Sequence, residues 1–151
     1  MQDETIYTWY QQYKVGLFRF ALSILKDSHL AEDALQETFV RLLGQNRLPD
    51  SDHAQAWLYR VIRNICYDLL RQRKREAEEI PGSTDPQPET WEFIELIAPL
   101  PQKEQEILAL RFIGGFSHKE IASIMGMTLH SAKKRYERAI QTLRKEMEVS
   151  I

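Results

Sequence analysis

Ser117 and Glu120 stand three residues apart at the head of the run FSHKEIASIMGMTLHSAKKRYERAIQTLRKE. A serine hydroxyl that takes the N–H of the third helical residue, while that residue's carboxylate takes the serine N–H, is the reciprocal cap of a helix N-terminus. Phe116 and Ile121 flank the pair at the spacing of a hydrophobic staple, which fixes the angle at which the chain enters the helix. The spacing predicts Ile121, Ala122 and Met125 facing inward, with Gly126 ending the helix in a left-handed conformation. After the Gly126–Met127 turn, Thr128 caps a longer helix whose inward stripe is Leu129, Ala132, Tyr136, Ala139 or Ile140, and Leu143. Two helices joined by a tight glycine-containing turn make a helix-turn-helix. Lys133, Lys134, Arg135 and Arg138 lie off the apolar stripe, where a helix in a DNA major groove needs its cations. Ser131, Lys134, Arg135 and Arg138 share one face at i, i+3, i+4 and i+7, which makes Arg135 the expected base reader and Lys133 the expected phosphate contact.

The same helical period runs through the rest of the chain. Ile6, Trp9, Tyr13, Leu17, Phe20 or Ala21, and Ile24 predict a first helix from about Thr5 to Leu25, with Gly16 as an unfavourable interior residue. Asp27 or Ser28 caps a second helix with the stripe Ala31, Leu35, Phe39 and Leu42, and Asp33, Gln36, Glu37 and Arg41 lie off it. Residues 44–53 read as a loop. A third helix, His53 to about Arg75, has Ala54, Trp57 or Leu58, Val61 or Ile62, Ile65 and Leu69 for its core. Its remainder carries Arg60, Arg63, Asn64, Tyr67, Arg71, Lys74 and Arg75, a mixture suited to phosphate pairing and base stacking. Residues 76–89 hold three prolines and five acidic residues with no apolar period, and read as a linker. Trp91, Ile94 and Ile97 then mark a short helix closed by Pro99 and Pro101, and a further helix to about Phe112 buries Ile107, Leu108 and either Phe112 or the stem of Arg111. No strand pattern and no internal repeat occurs. The expected fold is all-α in two small helical domains, residues 1–75 and 90–151, joined by the linker.

A net charge of −2 over 151 residues suits a DNA-binding chain poorly until it is divided. Residues 60–75 carry six basic groups and one acidic, and residues 107–145 carry eight and two; between them residues 76–106 carry one basic group and nine acidic. Two basic blocks separated by an acidic one point to two nucleic-acid surfaces. The four histidines are scattered, the single Cys66 falls among apolar helix positions, and Gly114–Gly115 lacks the following lysine of a phosphate loop. No catalytic, metal or cofactor role is therefore expected. No apolar run approaches the ~20 residues of a membrane span, and the acidic MQDETIYTW start lacks a secretory pattern, so no membrane insertion and a cytoplasmic location are expected.

Three motifs resemble those of one family. AEDALQETFVRLL at 31–43 is similar to the A-E-D-x-x-Q-E-T-F-x-R helix of bacterial RNA polymerase sigma factors of the extracytoplasmic-function (ECF) group. WLYRVIRNICYDLLRQRKR at 57–75 resembles their W-L-x-x-I-A-R-N-x-x-x-D-x-x-R-x-x-x-R helix. The C-terminal hairpin is similar to their second domain in L-P, in S-x-K-E-I-A-x-x-M-G, and in K-x-R-x-x-R-A at Lys133, Arg135, Arg138 and Ala139. Departures fall at Ile62, usually Ala, and at His130, Ala132 and Lys134, usually Gly, Val and Ser, so the promoter sequence does not transfer by analogy.

The resemblance implies a protein that binds core RNA polymerase, directs it to promoter DNA and helps open the duplex. It implies polymerase contact by Asp33, Gln36, Glu37 and Arg41, and −10 element contact by Arg60, Arg63, Asn64, Tyr67, Arg71 and Arg75. Asn46, Arg47 and Asp50 of the preceding loop are implied to form a pocket for a flipped −10 base, whose extrusion costs a few kcal/mol that polar contacts can offset. It further implies −35 contact by Thr128, His130, Ser131, Lys133, Lys134, Arg135 and Arg138, and an anti-sigma factor that masks these surfaces. The rival expectation is a stand-alone helix-turn-helix regulator acting as a dimer through residues 1–75, which should bind palindromic sites without polymerase.

Overall fold

The computed structural model describes residues 2–76 and 88–149, and within them every regular element is an α-helix. The chain divides into two compact units, residues 1–86 and 87–151.

In the first unit, α1 (Gln2–Leu25), α2 (Ser28–Leu43) and α3 (Ser51–Glu76) each pack on the other two. The expected stripes form the core: Ile6, Trp9, Leu17, Phe20, Ala21 and Ile24 of α1, with Ala31, Leu35, Phe39 and Leu42 of α2. Of the pairs left open on α3, the core takes Leu58 and Ile62, together with Ala54, Ile65 and Cys66. Tyr13 and Leu69 lie on their stripes but are half-buried rather than core, and Leu69 lines an open groove between α2 and α3. Asp27 is the cap of α2: its carboxylate accepts the N–H groups of His29 and Leu30 at 2.9 and 3.2 Å. The turn before it is closed by Lys26, a non-glycine residue at φ 55° whose N–H donates to the Leu22 carbonyl. Gly16, which costs helix propensity, has a packing reason. A Cβ there would lie 2.4 Å from the Tyr59 hydroxyl oxygen, so its absence lets α1 and α3 approach. Tyr59 itself is buried against Phe20, ring centroids 5.2 Å apart, and burial pushes its phenol well above the ordinary tyrosine range.

The second unit is organised on α5 (Gln102–Phe112), which is buried continuously from Glu104 to Leu110. α7 (Leu129–Val149) and α6 (His118–Met125) pack on it and on each other. α4 (Pro88–Ile97) joins through a cluster of Ile97, Leu100, Leu108, Ala139 and Leu143, with Phe93, Tyr136 and Ile140 beside it. The polar residues that begin α5 are built into this core. Gln105 donates its amide to the Leu100 carbonyl at 2.8 Å, satisfying an acceptor in the turn between α4 and α5. Of the two residues expected to cover the end of α5, Arg111 is half-buried and donates to the Phe116 carbonyl at 2.9 Å, while Phe112 is exposed. The linker expected over 76–89 falls mostly outside the described residues, and its last two positions, Pro88 and Glu89, already belong to α4.

The capping box at Ser117 and Glu120 is present in both directions, and Gly126 ends α6 at φ 68°, ψ 39°. Two inward assignments are corrected. Ile124 rather than Met125 is buried on α6, and Leu129 is 41% exposed at the start of α7. At about 100° per residue, Leu129 lies roughly 60° round the helix from Ala132, off the line of Ala132, Ala139 and Leu143 that meets the core.

Candidate polymerase and nucleic-acid interfaces

On α2 the buried residues Ala31, Ala34, Leu35, Thr38, Phe39 and Leu42 consume one side, which leaves Asp33, Gln36, Glu37 and Arg41 exposed on the other. The face is held by turn-to-turn contacts. Arg41 pairs with Glu37 at 3.0 Å, and the Gln36 amide donates to Glu32 at 3.3 Å. Val40 and Leu43, 59% and 63% exposed, add apolar area that the sequence reading did not single out. Both lie off the buried stripe, and an apolar residue outside the stripe of an amphipathic helix is the signal that finds them.

A groove of about 450 Å³ separates this face from α3; Asp33, Glu37 and Arg41 line it from one side, and Asp68, Arg71 and Gln72 from the other over Ile65 and Leu69. Arg71, expected among the −10 contacts, therefore stands beside the polymerase set and is paired with Asp68.

Arg60, Arg63, Asn64, Tyr67 and Arg71 fall within an arc of roughly 100° on α3 at about 100° per residue. Arg60, Asn64 and Arg71 are exposed, and Arg63 lies over the Tyr67 ring at 5.1 Å from its centroid, a cation on an aromatic face. Arg75 belongs to α3, but its side chain lies outside what the structure describes. Asn46, Arg47 and Asp50 are exposed in the connection between α2 and α3, tied to α1 by the Gln2 amide donating to the Asn46 carbonyl at 3.1 Å.

On α7 the expected set separates. His130, Lys133, Lys134 and Arg138 are exposed. The Thr128 hydroxyl is occupied in capping, accepting the Ser131 N–H at 3.1 Å. Ser131 and Arg135 are half-buried on the flank toward the core. The Arg135 guanidinium donates to the Glu104 carboxylate at 3.1 Å, and Glu104 is a buried residue of α5. The helical wheel expects Arg135 in the groove; in the structure its guanidinium is paired with a carboxylate 31 positions earlier in the chain. His118, at the start of α6, has its ring edge-on to Tyr136 at 4.7 Å with Nδ1 buried and without a hydrogen-bond partner. Burial, then the charges of Arg111 and Lys133, hold its pKa below the usual histidine value, against the pull of Glu137.

Two family models match the chain: Sigma-70 region 2 over residues 9–76, and Sigma-70, region 4 over residues 90–143. Among similar proteins, the ECF RNA polymerase sigma factor SigM of Bacillus subtilis is 34% identical over 152 residues, 93% of either chain. The ECF sigma factor EcfG of Rhodopseudomonas palustris is 33% identical over 82% of this chain and 75% of its own. Among solved structures, the sigma factor RpoE of Bartonella quintana, in complex with the anti-sigma factor NepR, aligns with a TM-score of 0.73 at 26% identity over 95% of this chain and 99% of that one. CnrH, in complex with the cytosolic domain of CnrY, shares the fold at a TM-score of 0.78 over 99% of this chain and 91% of that one, with 23% identity. A stand-alone dimeric regulator is not favoured, because the segment it would use for dimerisation is the one that matches region 2. The chain belongs to the ECF group of sigma-70 RNA polymerase sigma factors, and it directs the initiation of transcription.

Proposed function

We propose that the two units divide promoter recognition. In the first, the α2 face of Asp33, Gln36, Glu37 and Arg41, extended by Val40 and Leu43, docks on core RNA polymerase. The α3 arc of Arg60, Arg63, Asn64, Tyr67, Arg71 and Arg75 takes the −10 element, with Asn46, Arg47 and Asp50 around an extruded base. In the second, α7 meets the −35 element through His130, Lys134 and Arg138, with Lys133 on a phosphate strand and Thr128 and Ser131 setting the helix start. Arg135 leaves the reading set. The linker between the units is the part of 76–89 that lies between α3 and α4. The observation that supports this reading is the segregation of side-chain chemistry by helix face: polar α2, cationic α3 and cationic α7 each expose one side and bury the other. The protein works in the cytoplasm as an initiation factor with no catalytic step of its own. An anti-sigma factor that covers these faces is its regulator, a reading supported by the complex of the Bartonella quintana sigma factor RpoE with the anti-sigma factor NepR.

Size-exclusion chromatography of the protein with core polymerase tests the docking face. The wild type co-elutes with core, and the charge-reversed Asp33→Lys/Glu37→Lys variant elutes separately with unchanged helical content. Co-elution of that variant at wild-type affinity sinks the assignment.

A further inference from the structure

Glu104 is out of place by composition. It is a carboxylate, 2% exposed, in the helix around which the second unit packs. A charge at such a site survives only with a partner, and its partner is Arg135 of the recognition helix, at 3.1 Å and with about a third of its own side chain exposed. The second carboxylate oxygen is also buried and takes no hydrogen bond, so this guanidinium carries the neutralisation. Arg135 follows Ser131 by one turn and precedes Arg138 by three residues, positions that border the outward face of α7. Released from Glu104, its long side chain could swing onto that face.

We propose that Glu104 is a positioning residue of the −35 reader: by holding Arg135 it withholds one cation from the DNA and leaves recognition to His130, Lys134 and Arg138. The inference rests on the reading that α7 meets −35 DNA. A side chain that never touches DNA then sets how many charges the reading helix presents. A planar guanidinium fork in the groove would otherwise add a strong, guanine-seeking contact. The pair also ties α7 to α5, so the same bond that removes Arg135 holds the remaining side chains at a fixed angle.

The test is holoenzyme binding to promoter DNA across a salt series, for wild type, Glu104→Leu, and the charge-free Glu104→Leu/Arg135→Met. Arg135→Met alone is avoided, since it strands a buried carboxylate and endangers the fold. Each cation that joins the interface steepens the dependence of log K on log salt by about one. The expected result is a slope steeper by about one for Glu104→Leu, and a return to the wild-type slope in the double variant. Glu104→Gln, which keeps the shape and drops the charge, moves the slope the same way and serves if the leucine variant folds poorly. A Glu104→Leu slope equal to wild type overturns the proposal. So does a double variant shallower than wild type by about one, which would mean that Arg135 already lies on DNA. A −35 substitution series on the wild type separates the two levels. Binding indifferent to the −35 sequence defeats the −35 reading itself, whereas sequence-dependent binding with unmoved slopes defeats only the role of Glu104.

Discussion

Gly16→Ala should have opposite effects depending on one oxygen atom 43 positions away. Alanine in place of an interior helical glycine normally stabilises by about 1 kcal/mol. At Gly16 the new Cβ would lie 2.4 Å from the Tyr59 hydroxyl oxygen, more than 1 Å inside ordinary contact, while the next nearest atom of that ring stands at 3.7 Å. Tyr59 is 2% exposed and packed on Phe20, so its ring has no free direction in which to withdraw. Overpacking of this kind costs about 1–3 kcal/mol, which offsets the propensity gain and leaves a net loss of up to about 2 kcal/mol. In a Tyr59→Phe background the clashing atom is gone and the Cβ meets only the ring carbon at ordinary distance. There Gly16→Ala should stabilise by about 1 kcal/mol, giving a coupling of about 1–3 kcal/mol between the two positions. Whatever the hydroxyl contributes in the wild type cancels in the cycle. Urea unfolding of the full chain, followed by hydrogen exchange of peptides from α1 and α3, isolates the first unit from the second. Equal stabilisation by alanine in both backgrounds would refute the reasoning, because it would mean that the helices do not approach at Gly16.

Lys26→Gly should stabilise the first unit by about 0.5–1 kcal/mol in the same assay, since a non-glycine residue pays for its left-handed φ of 55°; Lys26→Ala should give no gain, and a gain there would point to the charge instead. The second unit should lose stability on acidification through His118. Its folded pKa lies below the unfolded value near 6.5, so the unfolded chain takes up the proton first; the contribution is complete above about pH 6.5 and is lost as pH falls below it. His118→Phe should flatten that part of the pH profile in urea titrations read by exchange in α6, and an unchanged profile would clear His118 of the effect.

Local chemistry made the helix ends readable: the Ser117–Glu120 box and the left-handed Gly126 stand where short-range spacing puts them, and of the two candidate caps of α2 the structure takes Asp27. The same holds for the faces of α1 and α2, because their core stripes need only a period of 3.6 residues. What eluded the sequence was every feature that needs a second helix to exist. Nothing local distinguishes Glu104 from the exposed Lys103 beside it until α7 supplies Arg135, and the run Glu104–Gln105–Glu106 looks like a solvated helix start until the second unit buries it. Gly16 looks like a defect until Tyr59 occupies the space. Lys26 could not be recognised as a left-handed residue, since lysine carries no preference for that conformation. On the site, the wheel gives an angle for each side chain but not which neighbour competes for it, so the Glu104–Arg135 pair is invisible to it.

The unbroken burial of α5 from Glu104 to Leu110 bears on what can be exchanged between members of such a family. A reading helix packed on an inert scaffold would be a cassette, transferable with its specificity intact. Here α7 is keyed to its support, and a transplanted α7 without an arginine opposite Glu104 would arrive with a buried charge unanswered. The portable element is the α5–α7 block, and chimaeras spliced inside that block should fail at the seam rather than inherit a promoter.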